Sequence, residues 1–272
     1  MSILSWNCRG LGHPRTVQVL TELVKHKRPS VVFLIETLSY RNQLEYLRSK
    51  LGFENLFVVD RVGRKGGLAL FWDVTTGARL IKYSKNFIDI EMAVPGSGQW
   101  RMTGYYGYPE STRRRDLWNL LRYLATISSI PWVYLGDFND LLSNSEKRGR
   151  RAQPNWKLNG FREAVADAGL VDLGMEGYQF TWERGRATSE WVEERLDRVL
   201  ANRAWCSLFP TAKVWSLEAS CSDHLPIFLD PKPSTPIPRH NRFRFENLWM
   251  REPECENIIG RSWSSTVGLP IQ

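Results

Sequence analysis

The chain has 272 residues and is 42% hydrophobic, which is enough for one large domain, or two small ones, around a buried core. Its net charge of +8 and pI near 9.4 indicate a polyanionic partner, although a solvated basic surface would give the same values. No signal peptide is visible in the sequence, and no apolar run approaches the roughly 20 residues that cross a bilayer, so we expect a soluble protein without a membrane partner.

The four cysteines, at positions 8, 206, 221 and 255, form no CxxC pair. This spacing argues against a zinc module and against a disulfide framework. Cys206, Cys221 and His224 are only a weak match to a metal site. We therefore expect a reducing compartment, nuclear or cytoplasmic.

Helices and strands alternate at the start of the chain, and short strands dominate later. The first part is predicted to contain a strand over 2–6, a helix between Pro14 and Pro29, a buried strand over 30–35 and a helix from Tyr40 to Gly52. Strands separated by turn residues follow over 55–60, 67–72, 78–83, 87–94, 99–106, 132–135, 179–184, 191–200 and 213–217, with a last one in PIFL.

Two further helices are predicted, one around Leu117 to Leu124 and one that Asn155 could cap and Gly169 would close. The whole order predicts a mixed α/β sandwich of two sheets with helices outside. After Leu229 a proline-rich stretch has little to bury and is interpreted as a linker. We therefore divide the chain into a domain over 1–230 and a linker with a short connector over 231–272.

The stretch PWVYLGDFND indicates a functional strand end. A short apolar run ends at Gly136, and Asp137 and Asn139 follow it. Two residues apart on extended backbone, these side chains point to the same side, where one can take a proton and the other can hold an oxygen. A simple turn would use the same residue types.

Other predicted strands also end on polar residues. These are Asn7, Glu36, Tyr106, and the pair Asp223 and His224, to which Asp197 in ERLDR adds a further position. Any one of them is more often structural than catalytic, but six such ends are hard to ascribe to chance. The carboxylate of Glu36 follows an apolar run, which is costly unless it is paired or bound to a metal, and a salt bridge explains it as well as a metal does.

These motifs follow one another in the order of the DNase I-like endonuclease/exonuclease/phosphatase superfamily: WN, IET, YGYP, GDFN, RLDR and SDH. In detail the chain most resembles the endonuclease domain of plant non-LTR retrotransposons of the long-interspersed-element kind, in WNCRGLG, KGGLALFW, GDFN followed by EK, FTW, ERLDRVLAN and SDHLPI. The resemblance covers about residues 1–230. FRFENLWM resembles the connector to reverse transcriptase, so a link to that enzyme in a longer polyprotein is a further expectation.

The resemblance implies a DNase I-like, four-layer α/β sandwich of two mainly antiparallel or mixed sheets flanked by helices, in which these strand ends meet. It implies a monomeric hydrolase that acts on DNA with Mg²⁺ as cofactor, or Mn²⁺ as an alternative. Glu36 would ligate the ion, since Mg²⁺ prefers hard oxygen ligands. Asn7 would support the metal or a phosphate oxygen, and Asp223 would assist the metal or polarise the site.

The resemblance also implies roles in the reaction. Asp137 would orient and deprotonate the attacking water, and Asn139 would hold that water or the phosphate. His224, positioned by Asp197, would hydrogen-bond the phosphoryl oxygen, and Tyr106 would donate to the phosphate. The product would be a nicked DNA strand with a 3′-hydroxyl that can prime reverse transcription.

Two positions depart from the superfamily pattern. Many repair members carry an Asp two residues after the motif Asn, where this chain has Arg9, which weakens the case for a two-metal scheme. The tyrosine motif is one residue off the usual Tyr-x-Pro, and we favour Tyr106 over Tyr108.

Basic residues are expected to form a nucleic-acid track with salt-dependent, largely sequence-blind affinity, although any single one could serve solubility instead. The track consists of Arg113, Arg114, Arg148, Arg150, Arg151, Arg184 and Arg186. Trp182, in FTW, would line the pocket beside the scissile nucleotide or lie in the core, and general aromatic burial slightly favours the core.

Two other functions stay open. A phosphatase of inositol phosphates, or a phospholipid hydrolase, is disfavoured by the basic loops and by the lack of an apolar membrane-docking loop. A non-catalytic transposon relic that only binds nucleic acid or partners is disfavoured because every motif position is filled.

Overall fold

Two six-stranded β-sheets lie face to face in the computed structural model, which describes residues 1–63, 66–94, 98–149 and 151–233 and the single positions 254, 257, 260 and 261. The chain forms two compact units, Met1–Pro233 and Ser234–Gln272. Most of the second unit, including the predicted connector FRFENLWM, lies outside the described residues. The predicted domain boundary at residue 230 stays a prediction.

The elements of the first unit have the following bounds. The strands are β1 (Ile3–Asn7), β2 (Val31–Ile35), β3 (Asn55–Val59), β4 (Leu68–Trp72), β5 (Arg79–Ser84), β6 (Phe87–Val94), β7 (Gly98–Tyr106), β8 (Trp132–Asp137), β9 (Lys147–Arg148), β10 (Leu170–Asp172), β11 (Trp182–Arg184), β12 (Val192–Glu194), β13 (Asp197–Asn202), β14 (Lys213–Ser216) and β15 (Ile227–Asp230). The helices are α1 (Pro14–Lys27), α2 (Arg41–Leu51), α3 (Arg114–Thr126), α4 (Asn155–Asp167) and α5 (Arg203–Leu208). Within the described residues, no helix has the length and apolar character needed to span a membrane.

Each large sheet mixes parallel and antiparallel neighbours. The first has the order β14-β15-β1-β2-β4-β3, and the second has the order β10-β13-β8-β7-β6-β5. The pairs β1–β2 and β7–β8 are parallel, while the other neighbours are antiparallel. A small sheet of β11, β12 and β9 lies apart from both. The predicted α/β sandwich of two sheets is confirmed.

Alternate residues of the central strands face two different hydrophobic cores. In β2, Val31, Phe33 and Ile35 point into the core between the sheets, whereas Val32 and Leu34 pack in the core that contains α1 and α2. The residues of β8 alternate in the same way between the inter-sheet core and the core formed with α3 and α4. Burial on both faces explains why these strands read as unbroken apolar runs, and it produces four layers in the order helix, sheet, sheet, helix.

Some predicted elements are corrected by the structure. The predicted strand over 191–200 is two strands, β12 and β13, because the backbone N–H groups of Leu196 and Asp197 donate to the Thr181 hydroxyl at 3.1 and 2.8 Å. These bonds turn the chain from the small sheet into the second sheet. Asn155 is not the N-cap of α4, since Pro154, which has no side-chain acceptor, holds that position. The short elements β9, β10 and α5 were not predicted.

Gly136 occupies a position in β8 where a side chain does not fit. Its φ is +139°, a backbone conformation that other residues rarely adopt, and a Cβ there would overlap the carbonyl oxygen of Tyr105 on β7. This close approach of two backbones fixes the position of Gly136 on β8 against β7. It therefore fixes where the next residue, Asp137, lies.

We predict that Gly136→Ala lowers the free energy of unfolding by roughly 2–4 kcal/mol, because β7 or β8 must move to admit the methyl group. Urea denaturation followed by circular dichroism measures the change. Gly12→Ala is the matched control, because a Cβ at Gly12 would meet no atom within 4 Å. Equal stability of the two variants would contradict this reading of β8.

Candidate active site

The register of the strands brings polar residues from both sheets to one end of the sandwich. In the second sheet, Asp137 on β8 lies beside Tyr106 on β7 and beside Asp197 on β13. In the first sheet, Asn7 ends β1 beside the last residue of β2, and Glu36 follows that residue. The two sheets thus present their functional candidates at a common edge.

The side-chain amide of Asn7 joins the two sheets at this edge. Its Nδ2 donates to Oε1 of Glu36 at 3.1 Å and to Oδ2 of Asp137 at 3.0 Å. Its Oδ1 accepts from the backbone N–H of Arg9 at 3.3 Å, so the nitrogen faces the carboxylates. The Tyr106 hydroxyl adds a further donor, 2.9 Å from Oε1 of Glu36. Burial, with the two carboxylates nearby, raises the pKa of Tyr106, so this hydroxyl keeps its proton and donates.

The backbone is left-handed at two of these strand ends. The φ of Glu36 is +52° and that of Asn139 is +55°. Asparagine tolerates this conformation, but for glutamate it costs about 1–2 kcal/mol, and such strain is concentrated at functional sites. The backbone N–H of Asn139 donates to Oδ1 of Asp137 at 3.0 Å, and its side-chain nitrogen donates to the carbonyl oxygen of Gly107 at 3.1 Å. Asn139 therefore helps to lock the Asp137 carboxylate.

His224 completes the cluster from the loop before β15. Its Nδ1 lies 2.8 Å from Oδ2 of Asp197, and its Nε2 lies 3.9 Å from Oδ2 of Asp137. All three side chains are at most 4% exposed. The longer distance exceeds a hydrogen bond, and in the described part of the chain no hydrogen bond reaches Nε2. The imidazole is therefore held at one nitrogen and available at the other.

Burial and charge shift the titration of these groups in a way that suits proton transfer. Burial alone lowers the pKa of His224, but the carboxylates of Asp197 and Asp137 outweigh it and raise the pKa to about 9. Burial raises the pKa of Asp137 to about 7, against the opposite influence of His224. The site thus combines a protonated imidazole with a carboxyl group that titrates near neutral pH.

Asp223 faces the cluster from the residue before His224. Its Oδ1 lies 3.2 Å from Nε of Arg9, and its Oδ2 accepts from the Trp182 indole N–H at 3.0 Å. The Arg9 guanidinium also lies 3.3 Å from Oε2 of Glu36. From the sequence, Arg9 is recognised only as a departure from the superfamily pattern. The structure shows that it pairs with the carboxylates of Glu36 and Asp223.

Trp182 lies between the core and a cavity. It packs against a small buried cluster of Leu141, Leu158 and Leu196. With Asp223 it also lines a cavity of about 760 Å³. The side chain therefore contacts both the core and a cavity, and its place beside a scissile nucleotide stays a prediction.

Two parts of the site offer ligand atoms for a metal ion. Those of Asp137, Asp197 and His224 lie within 4.8 Å of one another, but these side chains are buried, and two of them already share a hydrogen bond. Glu36 and Asp223 are more accessible, with 15% and 32% of their side chains exposed. Mg²⁺ prefers oxygen ligands and keeps several waters, so the Glu36 side of the site suits it better.

The arginines of the predicted nucleic-acid track differ in their exposure to solvent and in their contacts. Those with exposed side chains are Arg113, Arg148, Arg151, Arg184 and Arg186. Of these, Arg113 lies over the ring of Tyr108 at 3.6 Å, while Arg148 and Arg186 pair with glutamates.

Arg114 is corrected by the structure. Its side chain is buried and pairs with Asp140 at 2.6 Å, so it is not available to a phosphate backbone. Its role is structural, since it joins the start of α3 to the loop after β8. Arg150 lies outside the described residues.

The sequence analysis did not identify a set of buried ion pairs next to the site. Arg198, which follows Asp197, is fully buried and pairs at 2.8 Å with Glu146 and at 2.8 Å with Asp172. These bonds tie β13 to β10 and to the loop after β8. The EK and RLDR motifs contain two of these charges, but a motif does not say which charges pair.

Comparison of the sequence with models of known protein families identifies the family to which the chain belongs. The chain belongs to the Endonuclease/Exonuclease/phosphatase family, whose model matches residues 4–224. That span contains every candidate catalytic and metal-binding residue from Asn7 to His224. The predicted membership of the DNase I-like superfamily is confirmed.

Solved structures share the fold at low sequence identity. The endonuclease domain of TRAS1, a telomere-specific non-LTR retrotransposon, is 15% identical with a TM-score of 0.61, over 84% of this chain and 97% of that one. The AP endonuclease LMAP from Leishmania major is 14% identical with a TM-score of 0.64, over 84% and 86%. The 3′-5′ exonuclease NExo from Neisseria meningitidis is 18% identical with a TM-score of 0.60, over 85% and 99%. No curated protein matches the chain.

We predict that, in the metal-free protein, His224 keeps its proton until the pH approaches about 9. The interaction of the protonated imidazole with Asp197 and Asp137, which raises this pKa, stabilises the fold fully below about pH 6.5. This contribution to stability is lost as the pH rises through about 9. Asp197→Asn should lower the pKa of His224, because the effect of burial then dominates. Imidazole resonances followed by NMR in EDTA measure both, with His224→Gln for assignment. A His224 that titrates near 6.5 in the unmutated chain would contradict the ion pair.

Proposed function

We propose that the chain is a divalent-metal-dependent DNA endonuclease that nicks one strand by attack of water on a phosphodiester. The observation that carries this proposal is the contact of the Asn7 amide with both Glu36 and Asp137, beside the His224–Asp197 pair. A carboxylate for a cation, a proton acceptor and a hydrogen-bond donor are thereby brought close together. Hydrolysis of a phosphodiester requires these parts.

The oxygen donors near Glu36 fit a hard divalent cation such as Mg²⁺, with Mn²⁺ as a substitute. Glu36 would hold the ion, with its carboxylate oriented by Asn7 and Tyr106. Asp223 would supply a further oxygen, directly or through water. When bound, the ion would polarise a phosphoryl oxygen and offset the negative charge that develops on it.

Asp137 and His224 supply the proton chemistry in this proposal. Asp137, held by Asn7, accepts a proton from the attacking water, and a pKa of about 7 suits a base at neutral pH. His224, kept protonated by Asp197, donates from Nε2 to the phosphoryl oxygen. This bond strengthens as charge accumulates in the transition state.

Two roles are compatible with Asn139 and Tyr106: contact with the substrate, and positioning of Asp137 and Glu36. The motif implies that both contact water or phosphate. In the structure, the hydroxyl of Tyr106 donates to the carboxylate of Glu36, and the side-chain nitrogen of Asn139 donates to the carbonyl oxygen of Gly107. Contact with the phosphate therefore requires an exchange of partner, whereas positioning of Glu36 and Asp137 requires none.

Exposed basic side chains support DNA as the substrate. The candidates for contacts with phosphates are Arg113, Arg148, Arg151, Arg184 and Arg186, with Trp182 beside the cavity. The likeness to the TRAS1 endonuclease domain supports an origin in a non-LTR retrotransposon, and motifs such as WNCRGLG are the support for a plant element. In that setting the nick would leave a 3′-hydroxyl for reverse transcription.

A plasmid-nicking assay tests the proposal. We expect the chain with Mg²⁺ to convert supercoiled plasmid to open circles, and EDTA to stop the reaction. Glu36→Ala and His224→Ala should each slow nicking by at least roughly 100-fold, as loss of one stabilising group in a transition state typically does. Glu22→Ala removes an exposed carboxylate on α1 and is the matched control, expected to nick at the unmutated rate.

Intact supercoiled plasmid, with a folded unmutated chain at several Mg²⁺ and Mn²⁺ concentrations, would overturn the proposal. Binding of DNA in a gel shift under those conditions would favour a non-catalytic nucleic-acid-binding protein. Release of phosphate from inositol phosphates without nicking would favour a phosphatase on the same fold.

A further inference from the structure

The guanidinium of Arg9 lies between two carboxylates of the candidate active site. Its Nη1 is 3.4 Å from Oε1 and 3.3 Å from Oε2 of Glu36, and its Nε is 3.2 Å from Oδ1 of Asp223. One fixed positive charge therefore faces both carboxylates that are proposed to attract a metal ion. Half of the Arg9 side chain is exposed, so the guanidinium lies at the mouth of the site.

The backbone fixes this placement. Arg9 has a φ of +52°, which L-residues rarely adopt, and its N–H donates to Oδ1 of Asn7. The preceding N–H, of Cys8, donates to the carbonyl oxygen of Ile35 at 3.0 Å, which holds this turn against the end of β2. The side chain thus starts from a constrained point next to Glu36, and its position does not depend on the surface salt bridges alone.

We infer that Arg9 is a tethered counter-cation that competes with the divalent ion for Glu36 and Asp223 and limits this site to one ion. This inference rests on the metal-binding part of the proposed function. Two carboxylates facing each other repel unless a cation lies between them, and the guanidinium already supplies one positive charge. A divalent ion at Glu36 must displace at least one Arg9 contact, and a second ion would be repelled by the guanidinium.

The competing explanation is an ordinary surface salt bridge. Exposed pairs of this kind contribute little and would leave metal binding unchanged when one partner is removed. The two explanations therefore differ in metal affinity and stoichiometry. Neither quantity depends on whether the loaded enzyme is active.

Titration of the full chain with Mn²⁺, followed by calorimetry and by the EPR signal of free Mn²⁺, tests the inference. We expect one ion per unmutated chain. Arg9→Gln and Arg9→Met should each bind that ion roughly five- to ten-fold more tightly, because two partly exposed ion pairs no longer compete. Arg9→Asp should bind a second ion, while Arg9→Lys should resemble the unmutated chain.

Arg41→Gln is the matched control, because it removes the same charge from an exposed arginine on α2. It should bind Mn²⁺ as the unmutated chain does. Unchanged affinity in both Arg9→Gln and Arg9→Met, with the fold verified by circular dichroism, would overturn the inference and leave the proposed function intact. So would two ions on the unmutated chain. Absence of Mn²⁺ binding to the unmutated chain and to every Arg9 variant would overturn the inference together with the proposed metal site.

Discussion

The bridge that the Asn7 amide makes between Glu36 and Asp137 is the constraint on which the site depends. Asn7 and Glu36 belong to the first sheet or its end, and Asp137 belongs to the second, so one side chain connects the two sheets at this edge. Two carboxylates close together repel in a partly buried environment, and a shared N–H donor offsets part of that repulsion. The Arg9 guanidinium offsets part of the rest, and in the proposed function a divalent cation offsets the remainder.

The apolar interior and the charged edge are connected. Packing of alternate strand residues into separate cores determines the sheet spacing, and the close approach at Gly136 positions β8 against β7 next to Asp137. Behind the site, the buried pairs of Arg198 with Glu146 and Asp172 hold β13 in place. Removing one partner of such a buried pair typically costs about 3–5 kcal/mol. The position of Asp197, and through it the protonation of His224, therefore depends on charges outside the cluster of site residues.

Much of the fold and the set of strand-end residues could be predicted, because apolar runs and turn residues are local signals. The run VVFLI predicts a strand buried on both faces and leaves Glu36 at its end. Partners could not be predicted, because pairing depends on where other segments arrive. In the run of three arginines, Arg113 is exposed, whereas Arg114 is buried and pairs with Asp140. The contacts of Arg9 depend on long-range geometry in the same way.

The most direct measurement is the position of Mn²⁺ in a crystal of the full chain, located by its anomalous scattering. The account predicts a peak at roughly 2.0–2.5 Å from a carboxylate oxygen of Glu36, the distance at which such ions bind oxygen. A peak held instead by Asp137, Asp197 and His224, with none beside Glu36, would contradict it, because the groups proposed for proton chemistry would then be metal ligands.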